Sequence, residues 1–431
     1  MNEIFLERIK EYFGGESDDF LKELKNPCTQ GFFANTKKES KDKIFDLINF
    51  PFQPCIYNDV SFYHNHNNIG KTKAYELGLI YPQEIAASLS TSYIDTKDVK
   101  VVVDMCSSPG GKSINLINRL GDDVVFICNE YNYTRCGVLS SNLERLGLDN
   151  VIITNKNCNE LSNQLKCKAD VVILDAPCSG EGMIRKYPEI LDNYSLDNIS
   201  SLSNLQAELL EDAYQLLNNN GQLLYSTCTY AFEEDEMQIS NFINKHPDME
   251  IVCLNIDTNY SKLKGTIKLC PLNNTEGQFI CLLRKHSDCS CLNKIKMLKS
   301  IDNPIIDCFI KDNFNIDHYY LYKNNERYYL SFIELFNLEH NVFRYGIYVG
   351  ENVNNRFVPS HNLYRSNLLK NKYKYTYDLN DVEYENFVKG LEIKKDIHDH
   401  YYLLTYNNVS LGYGKCSKGI IKNKYPKGLR K

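Results

Sequence analysis

The chain has 431 residues, 49 basic and 55 acidic side chains and a net charge of −6. That balance excludes a polycation coating nucleic acid indiscriminately and leaves room for a local basic face. No apolar run reaches membrane-spanning length and the charged start MNEIFLERIKEYFGG has no signal-peptide core, so we expect a cytoplasmic protein with no membrane partner.

Length alone suggests about two to four domains. The 16 cysteines follow neither metal-ligand nor disulfide-framework spacing, the nearest pair being Cys289 and Cys291, and a reducing compartment fits them best. Residues 1–90 mix short helical and irregular segments around Pro27, Pro51, Pro54 and Pro82, which we read as an N-terminal α+β module. His64 and His66 lack a partner set, and no metal is expected.

From 91 to 286, short β-branched runs alternate with amphipathic stretches. VKVVVDM, DVVFICNE, NVIIT, DVVILDA, GQLLYSTC and QFICLLRK read as strands, with helices near 112–120, 132–147, 196–218 and 233–245. The fold class is α/β: a doubly wound, Rossmann-like sheet with its site at the carboxyl ends of the strands. The run Glu233, Glu234, Asp235, Glu236 is expected in the first turn of the last helix, complementing its dipole. Residues 287–431 are rich in Tyr, Asn and Lys, with short strand-like runs such as RYGIYVG and YYLLTYN. From Tyr401 onward there is no acid, while Lys415, Lys418, Lys422, Lys424, Lys427, Arg430 and Lys431 accumulate as a basic face or a solvated tail.

The loop DMCSSPGGK, Asp104 to Lys112, continues into Ser113 as GGKS, but a triphosphate P-loop needs glycine where Cys106 stands. No G-x-G-x-x-G dinucleotide fingerprint is present either. What remains is a glycine turn entering a helix, where Gly110 and Gly111 let backbone amides approach a ligand and the helix amino end favours a carboxylate. Glu130, ending the next strand, is placed to accept hydrogen bonds from ribose hydroxyls. Together they describe a nucleoside cofactor site, against the plainer reading of a tight turn and a surface Glu. Cys178 in DAPCSG and Cys228 in YSTCT each end an apolar strand-like run, so a parallel sheet could bring both thiols to one rim. Any one cysteine of 16 is more often core than catalyst; Pro177 before one and Ser and Thr around the other mark loops leaving strands.

DMCSSPGGK, NEYNYTRCGVLSSNLERLG, DVVILDAPCSGEGMIRK and GQLLYSTCTYAFEEDE, in that order, resemble the motifs of the Nop/Sun family of RNA cytosine-5 methyltransferases, most closely its bacterial RsmF type. GFFANTKKES and LGLIYPQEIAASL are similar to the family's N-terminal module, and RFVPSHNLYR and SLGYGKCSKGIIKNKYPKGLRK to its C-terminal PUA-like RNA-binding domain. The resemblance implies an N-terminal RNA-binding module (1–90), a methyltransferase domain (91–286) and a C-terminal region (287–431) whose PUA-like part begins near 370. It implies S-adenosylmethionine as methyl donor, held by Cys106, Ser107, Ser108, Pro109, Gly110, Gly111 and Lys112, with Glu130 on the ribose and Asp175 near the methionine and the target base. Asn157 stands where the family commonly carries an Asp near the adenine; an amide both donates and accepts, so the contact survives in a weaker form. The implied partner is RNA, 16S rRNA or the small ribosomal subunit, rather than DNA, and we expect a monomer.

Carbon 5 of cytosine is too poor a nucleophile to take a methyl group unaided, so a nucleophile must first add at carbon 6. We expect Cys228 to attack, with a local positive environment lowering its pKa below the ~8.5 of a free thiol. Asp175, if protonated, could donate to ring nitrogen 3. The family role implied for Cys178 is assistance in releasing the adduct. DNA cytosine methyltransferases use instead the Pro-Cys position, equivalent to Cys178, so the added cysteine in STCT points to RNA. Two alternatives stay open: the same chemistry on tRNA, and a non-catalytic ribosome-assembly factor. Arg185 and Lys186 read as RNA-backbone contacts or a surface turn, and Arg135 and Asn142 as cofactor contacts or helix packing, outside the site. Tyr401, Tyr402, Tyr406, Tyr413 and Tyr425, interleaved with the terminal lysines, are expected to serve RNA binding.

Overall fold

A computed structural model describes residues 2–287, 295–353 and 356–431; Cys289 and Cys291 lie outside them. The chain opens with helix Glu3–Phe13, whose cap Asn2 accepts from the amides of Ile4 and Phe5 and whose end is turned by Gly14. Its Phe5, Ile9, Tyr12 and Phe13, one helical face, pack with Ile184, Tyr194 and Tyr230 from loops beside the site. Four short antiparallel strands follow: β1 (Gly31–Ala34), β2 (Phe52–Pro54), β3 (Ser61–His64) and β4 (Ile80–Pro82), in the order β2-β3-β1-β4.

The central sheet is built from β5 (Val101–Asp104), β6 (Val125–Asn129), β7 (Val151–Thr154), β8 (Ala169–Asp175), β9 (Leu217–Thr227), β10 (Met249–Ile251), β11 (Ile267–Leu269) and β12 (Gln278–Lys285). The strands β7-β6-β5-β8-β9 lie side by side and parallel, and β12, antiparallel to β9, carries β10 and β11. Apolar runs such as VVVD, VFICN and VIIT suit strands buried on both faces. Helices Gly111–Ile117, Tyr133–Leu146, Cys158–Gln164, Leu196–Leu216 and Glu236–Lys245 connect the strands. The doubly wound expectation is met, and strand order reverses between β5 and β8, the switch point at which such sheets bind ligands. Helix Cys158–Gln164 and strands β10 and β11 were not anticipated.

The helix expected from 233 begins at Glu236, so of the acidic run only Glu236 stands in its first turn, with Asp235 at the cap position. Glu233 pairs with Arg8, Asp235 and Glu236 with the buried Lys268 (3.0 and 2.7 Å), and Glu234 turns inward toward the site. Glu234, Asp235 and Glu236 are buried ion-pair or hydrogen-bond partners, and Glu233 is half-buried.

Beyond the core lie β13 (Tyr320–Asn324), β14 (Arg327–Ser331), β15 (Val342–Tyr345), β16 (Ile347–Val353) and β17 (Arg356–Pro359). Four of them form the sheet β13-β14-β16-β17, while β15 crosses over and pairs with β7, adding an edge strand to the central sheet. A last sheet of β18 (Thr376–Leu379), β19 (Ile393–Lys394), β20 (Tyr401–Tyr406), β21 (Val409–Ser417) and β22 (Ile420–Asn423) closes the chain. Phe32, Ile44 and Leu79 of the N-terminal module share one core with Tyr384, Phe387, Leu404 and Val409 of this sheet and its helix. Glu76 accepts from the hydroxyls of Tyr384 and Tyr425 and pairs with Lys431 at 2.8 Å. The two ends of the chain therefore meet on one packed interface. Tyr402, Tyr406, Tyr413 and Tyr425 are buried and Tyr401 is half-buried, so these rings are core, correcting the expectation that they serve RNA binding. The neighbouring Lys415, Lys418, Lys422, Lys424, Lys427, Arg430 and Lys431 are exposed.

Candidate active site

Because β8 and β9 are parallel neighbours with Asp175 opposite Ser226, the loops leaving them start side by side. The Sγ atoms of Cys178 and Cys228 lie 3.3 Å apart, and the Cys228 amide donates to Cys178 Sγ at 3.3 Å. The loops are cross-linked again where the hydroxyls of Ser179 and Thr229 meet at 2.7 Å. Glu234 accepts from the Ser179 amide (3.0 Å) and from Gln206 Nε2 (2.8 Å), and the same Gln206 amide donates to Pro177 O (2.9 Å). The hydrogen bond with Cys228 and burial push the Cys178 thiol well up, so Cys178 keeps its proton. The side chain that meets the Cys228 sulfur is thus a thiol.

The Cys228 carbonyl accepts from Gly182 N (2.9 Å), and Gly182 O from Gly277 N (3.1 Å). Both must be glycine: a Cβ on Gly182 would lie 2.5 Å from Gly277 Cα. The adjoining Glu276 is gripped by Arg185 through Nε to Oε2 (3.0 Å) and Nη2 to Oε1 (2.5 Å), with both side chains at most 4% exposed. Arg185 also donates to Thr29 Oγ1 and Thr275 O, and Glu276 accepts from the Thr29 amide. Arg185 is therefore no RNA-backbone contact; it ties the N-terminal module to the backbone behind Cys228. Lys186 is exposed.

Asp175 Oδ2 pairs with Lys112 Nζ at 2.8 Å and its Oδ1 accepts from Ser226 Oγ at 2.9 Å. Lys112 comes from the glycine loop leaving β5, where Gly110 adopts φ +113° to turn the chain into its helix. Under the loop the buried Asp104 accepts from Ser113 Oγ (2.5 Å) and the Cys106 amide (3.3 Å); burial pushes its carboxyl up to about 7. The Cys106 thiol is pushed up by a hydrogen bond with Cys158 and by burial.

Glu130 directly follows β6, buried, with Oε1 accepting from the Asn132 amide (2.8 Å) and Oε2 3.5 Å from Arg135 Nη2. Arg135 Nη2 also donates to Ser108 O (2.6 Å), and Asn142 Nδ2 to Pro109 O (2.9 Å). Arg135 and Asn142, which the sequence alone placed outside the site, thus clamp the loop from one face of helix Tyr133–Leu146. Their seven-residue spacing was the available signal. Asn157, after β7, caps the next helix through Oδ1 (3.1 Å from Asn159 N) and is exposed. The residues from Cys106 to Lys112, Glu130, Asn157, Asp175, Cys178 and Cys228 all leave the carboxyl ends of adjacent strands and stand along one rim.

The family model described as 16S rRNA methyltransferase RsmB/F matches residues 91–284, that of the RsmF N-terminal domain 1–85, and that of the RsmF PUA domain 374–431. The chain belongs to the RsmB/F family of 16S rRNA methyltransferases. It is 31% identical over 300 residues to ribosomal RNA small subunit methyltransferase F of Vibrio cholerae, covering 67% of this chain and 62% of that one. It is 28% identical over 302 residues to its namesake from Aliivibrio fischeri, covering 66% and 64%. The chain thus spans less than two thirds of the length of these relatives. Among solved structures, a methyltransferase homolog protein from Pyrococcus horikoshii superposes with a TM-score of 0.58 at 26% identity, covering 66% of this chain and 95% of that one. Among the described residues of this RsmB/F-family chain, no helix is long and apolar enough to cross a membrane.

Proposed function

We propose that this chain is an S-adenosylmethionine-dependent RNA (cytosine-5)-methyltransferase acting in the cytoplasm on 16S rRNA through a covalent adduct at carbon 6. The observation that carries the reading is the contact of Cys178 and Cys228 beside Asp175 on one rim. The relatives' names, small subunit methyltransferase F, favour 16S rRNA over tRNA.

The rim's donor set fits the cofactor: the Asn157 amide for an adenine edge, the Glu130 carboxylate for ribose hydroxyls, the Cys106–Lys112 loop and Lys112 for a carboxylate, Asp175 for an ammonium. S-adenosylmethionine supplies the electrophilic methyl group. In the protein's part, a sulfur electron pair of the Cys228 thiolate forms a bond to carbon 6, and the C5=C6 π pair becomes nucleophilic at carbon 5. Asp175 accepts a hydrogen bond from the exocyclic amino group of cytosine. After methylation the carbon 5 proton leaves to a base, its pair re-forms the double bond, and the Cys228 sulfur departs. Cys178, protonated and touching Cys228, is the group that assists this departure.

The test is transfer of labelled methyl to small subunits, naked 16S rRNA and tRNA, with bisulfite sequencing of the products. Label at cytosine 5 of 16S rRNA is expected; label on tRNA alone, or on none of them, sinks the proposal.

A further inference from the structure

The sulfurs of Cys178 and Cys228, 3.3 Å apart, have only to close to the roughly 2.05 Å of a disulfide bond. Their loops are tied together on both sides of the pair. Before it, Ser226 Oγ donates to Asp175 Oδ1 at 2.9 Å; after it, the hydroxyls of Ser179 and Thr229 meet at 2.7 Å. The Cys228 amide, donating to Cys178 Sγ at 3.3 Å, adds a third tie. Two reactive atoms held as neighbours in this way meet without the entropy loss of a bimolecular encounter.

Cys128, Cys136 and Cys281 of the same domain are buried, whereas Cys178 and Cys228 are partly exposed residues at the rim. An opening that admits a cytosine ring to the Cys228 sulfur also admits a peroxide. Cys178 needs no such opening, because the atom it would react with is the sulfur beside it.

We infer that Cys178 and Cys228 form a reversible redox switch, in which a peroxide turns their contact into a disulfide that silences the site and shields Cys228 from irreversible oxidation. The silencing rests on the proposed role of Cys228; the bond rests on the geometry of the pair. The Cys228 thiolate attacks one oxygen of hydrogen peroxide, the O–O bond breaks, and the departing hydroxide takes up a proton as water, leaving a sulfenic acid on Cys228. The Cys178 sulfur then attacks the sulfenic sulfur, and its proton leaves with the sulfenic hydroxide as a second water. Two thiols and one peroxide give one disulfide and two waters, with two electrons passing from sulfur to oxygen. A dithiol reverses the bond by thiol–disulfide exchange. Without a neighbour to resolve it, a sulfenic acid goes on to sulfinic and sulfonic acids that thiols do not reduce. In a reducing compartment such a disulfide is a transient, sensing one.

The test treats the reduced full chain with a small molar excess of hydrogen peroxide and maps its peptides by mass spectrometry without reduction. A peptide linking residues 178 and 228 is expected, lighter by two hydrogens, with methyl transfer to 16S rRNA falling at least tenfold and returning when dithiothreitol is added. In Cys178→Ser, the same treatment should carry Cys228 to the sulfinic acid, gaining two oxygens, and dithiothreitol should not reverse it. Cys106 and Cys158, hydrogen-bonded to each other under the glycine loop, are the competing pair. A link between those two in place of 178 and 228 overturns the switch. So does sulfinic acid forming on Cys228 as fast in the wild type as in Cys178→Ser. A link between 178 and 228 that leaves methylation unchanged sinks the switch and, with it, Cys228 as the attacking atom. Should the reduced wild type methylate no RNA, the functional proposal has failed separately, and the linked peptide with its reversal by dithiothreitol still reads the bond.

Discussion

The Cys228 amide donates to Cys178 Sγ while the two sulfurs stand 3.3 Å apart, so the thiols share one small region and do not act on separate faces of a substrate. The hydrogen bond with Cys228 and burial hold the Cys178 thiol protonated. Cys178→Ala should accumulate a covalent protein–RNA complex visible on denaturing gels, and Cys228→Ala should form none. An adduct mapped by mass spectrometry to residue 178 would reverse the roles.

Arg185 and Glu276 form an interior pair in which each neutralises the other. Arg185→Met leaves the Glu276 carboxylate buried without its cation, and should cost about 3 kcal/mol of stability in a denaturant titration. Because Arg185 also holds Thr29 and the Glu276 backbone precedes the Gly182–Gly277 contact, hydrogen exchange should rise in residues 1–85 and around Cys228. Protection unchanged in both regions would show that the pair does not tie them together.

Asp104 titrates near 7 in the folded protein against an ordinary 3.8. A carboxyl raised by folding contributes stability that is fully present below the unfolded value and lost as pH rises through the folded one. Asp104→Asn keeps an acceptor for Ser113 without a proton to lose. Relative to wild type, its stability should improve between pH 5 and pH 8 by an amount on the order of 2 kcal/mol. Glu84, also pushed by burial to about 7, retains its own slope in both proteins. A constant difference across this range would remove Asp104 as the source.

Lys415 and Lys422 pair across β21 and β22 with both side chains exposed. If they meet RNA phosphates, Lys415→Gln with Lys422→Gln should weaken binding at low salt and flatten the plot of log affinity against log salt by roughly one unit for each phosphate no longer neutralised. An unchanged slope would make the basic face a solvated one. Deleting residues 370–431 is a poorer test, because it would expose the core that Phe32 and Leu79 share with Phe387 and Leu404.

The rim was legible because Asp104, Glu130, Asp175 and Cys228 each close or follow a β-branched run, and adjacent parallel strands put such ends together. What escaped was side-chain direction. Arg185 is followed by exposed Lys186, Tyr187 and Pro188 yet points inward, and the acids 233–236 resemble a helix start while Glu233 belongs to Arg8 and Asp235 and Glu236 to Lys268. Tyrosines between lysines looked like stacking platforms, but Tyr413 lies in the core while Lys415, two residues along the same strand, reaches solvent, and only the packing around the sheet decides which. RYGIYVG read as one strand; Gly346, at φ +57° and so close to Leu330 that a Cβ would lie 2.6 Å from its carbonyl oxygen, splits it between two sheets.

That split bears on how the protein is made. During synthesis β7 leaves the ribosome with its outer edge unpaired, and its partner β15 follows only after the whole remainder of the central sheet has been translated. Until then the nascent chain carries an open, apolar VIIT edge able to pair with another chain. Truncated products ending before residue 342 should therefore aggregate, and slow decoding across the preceding segment would lengthen the period of exposure.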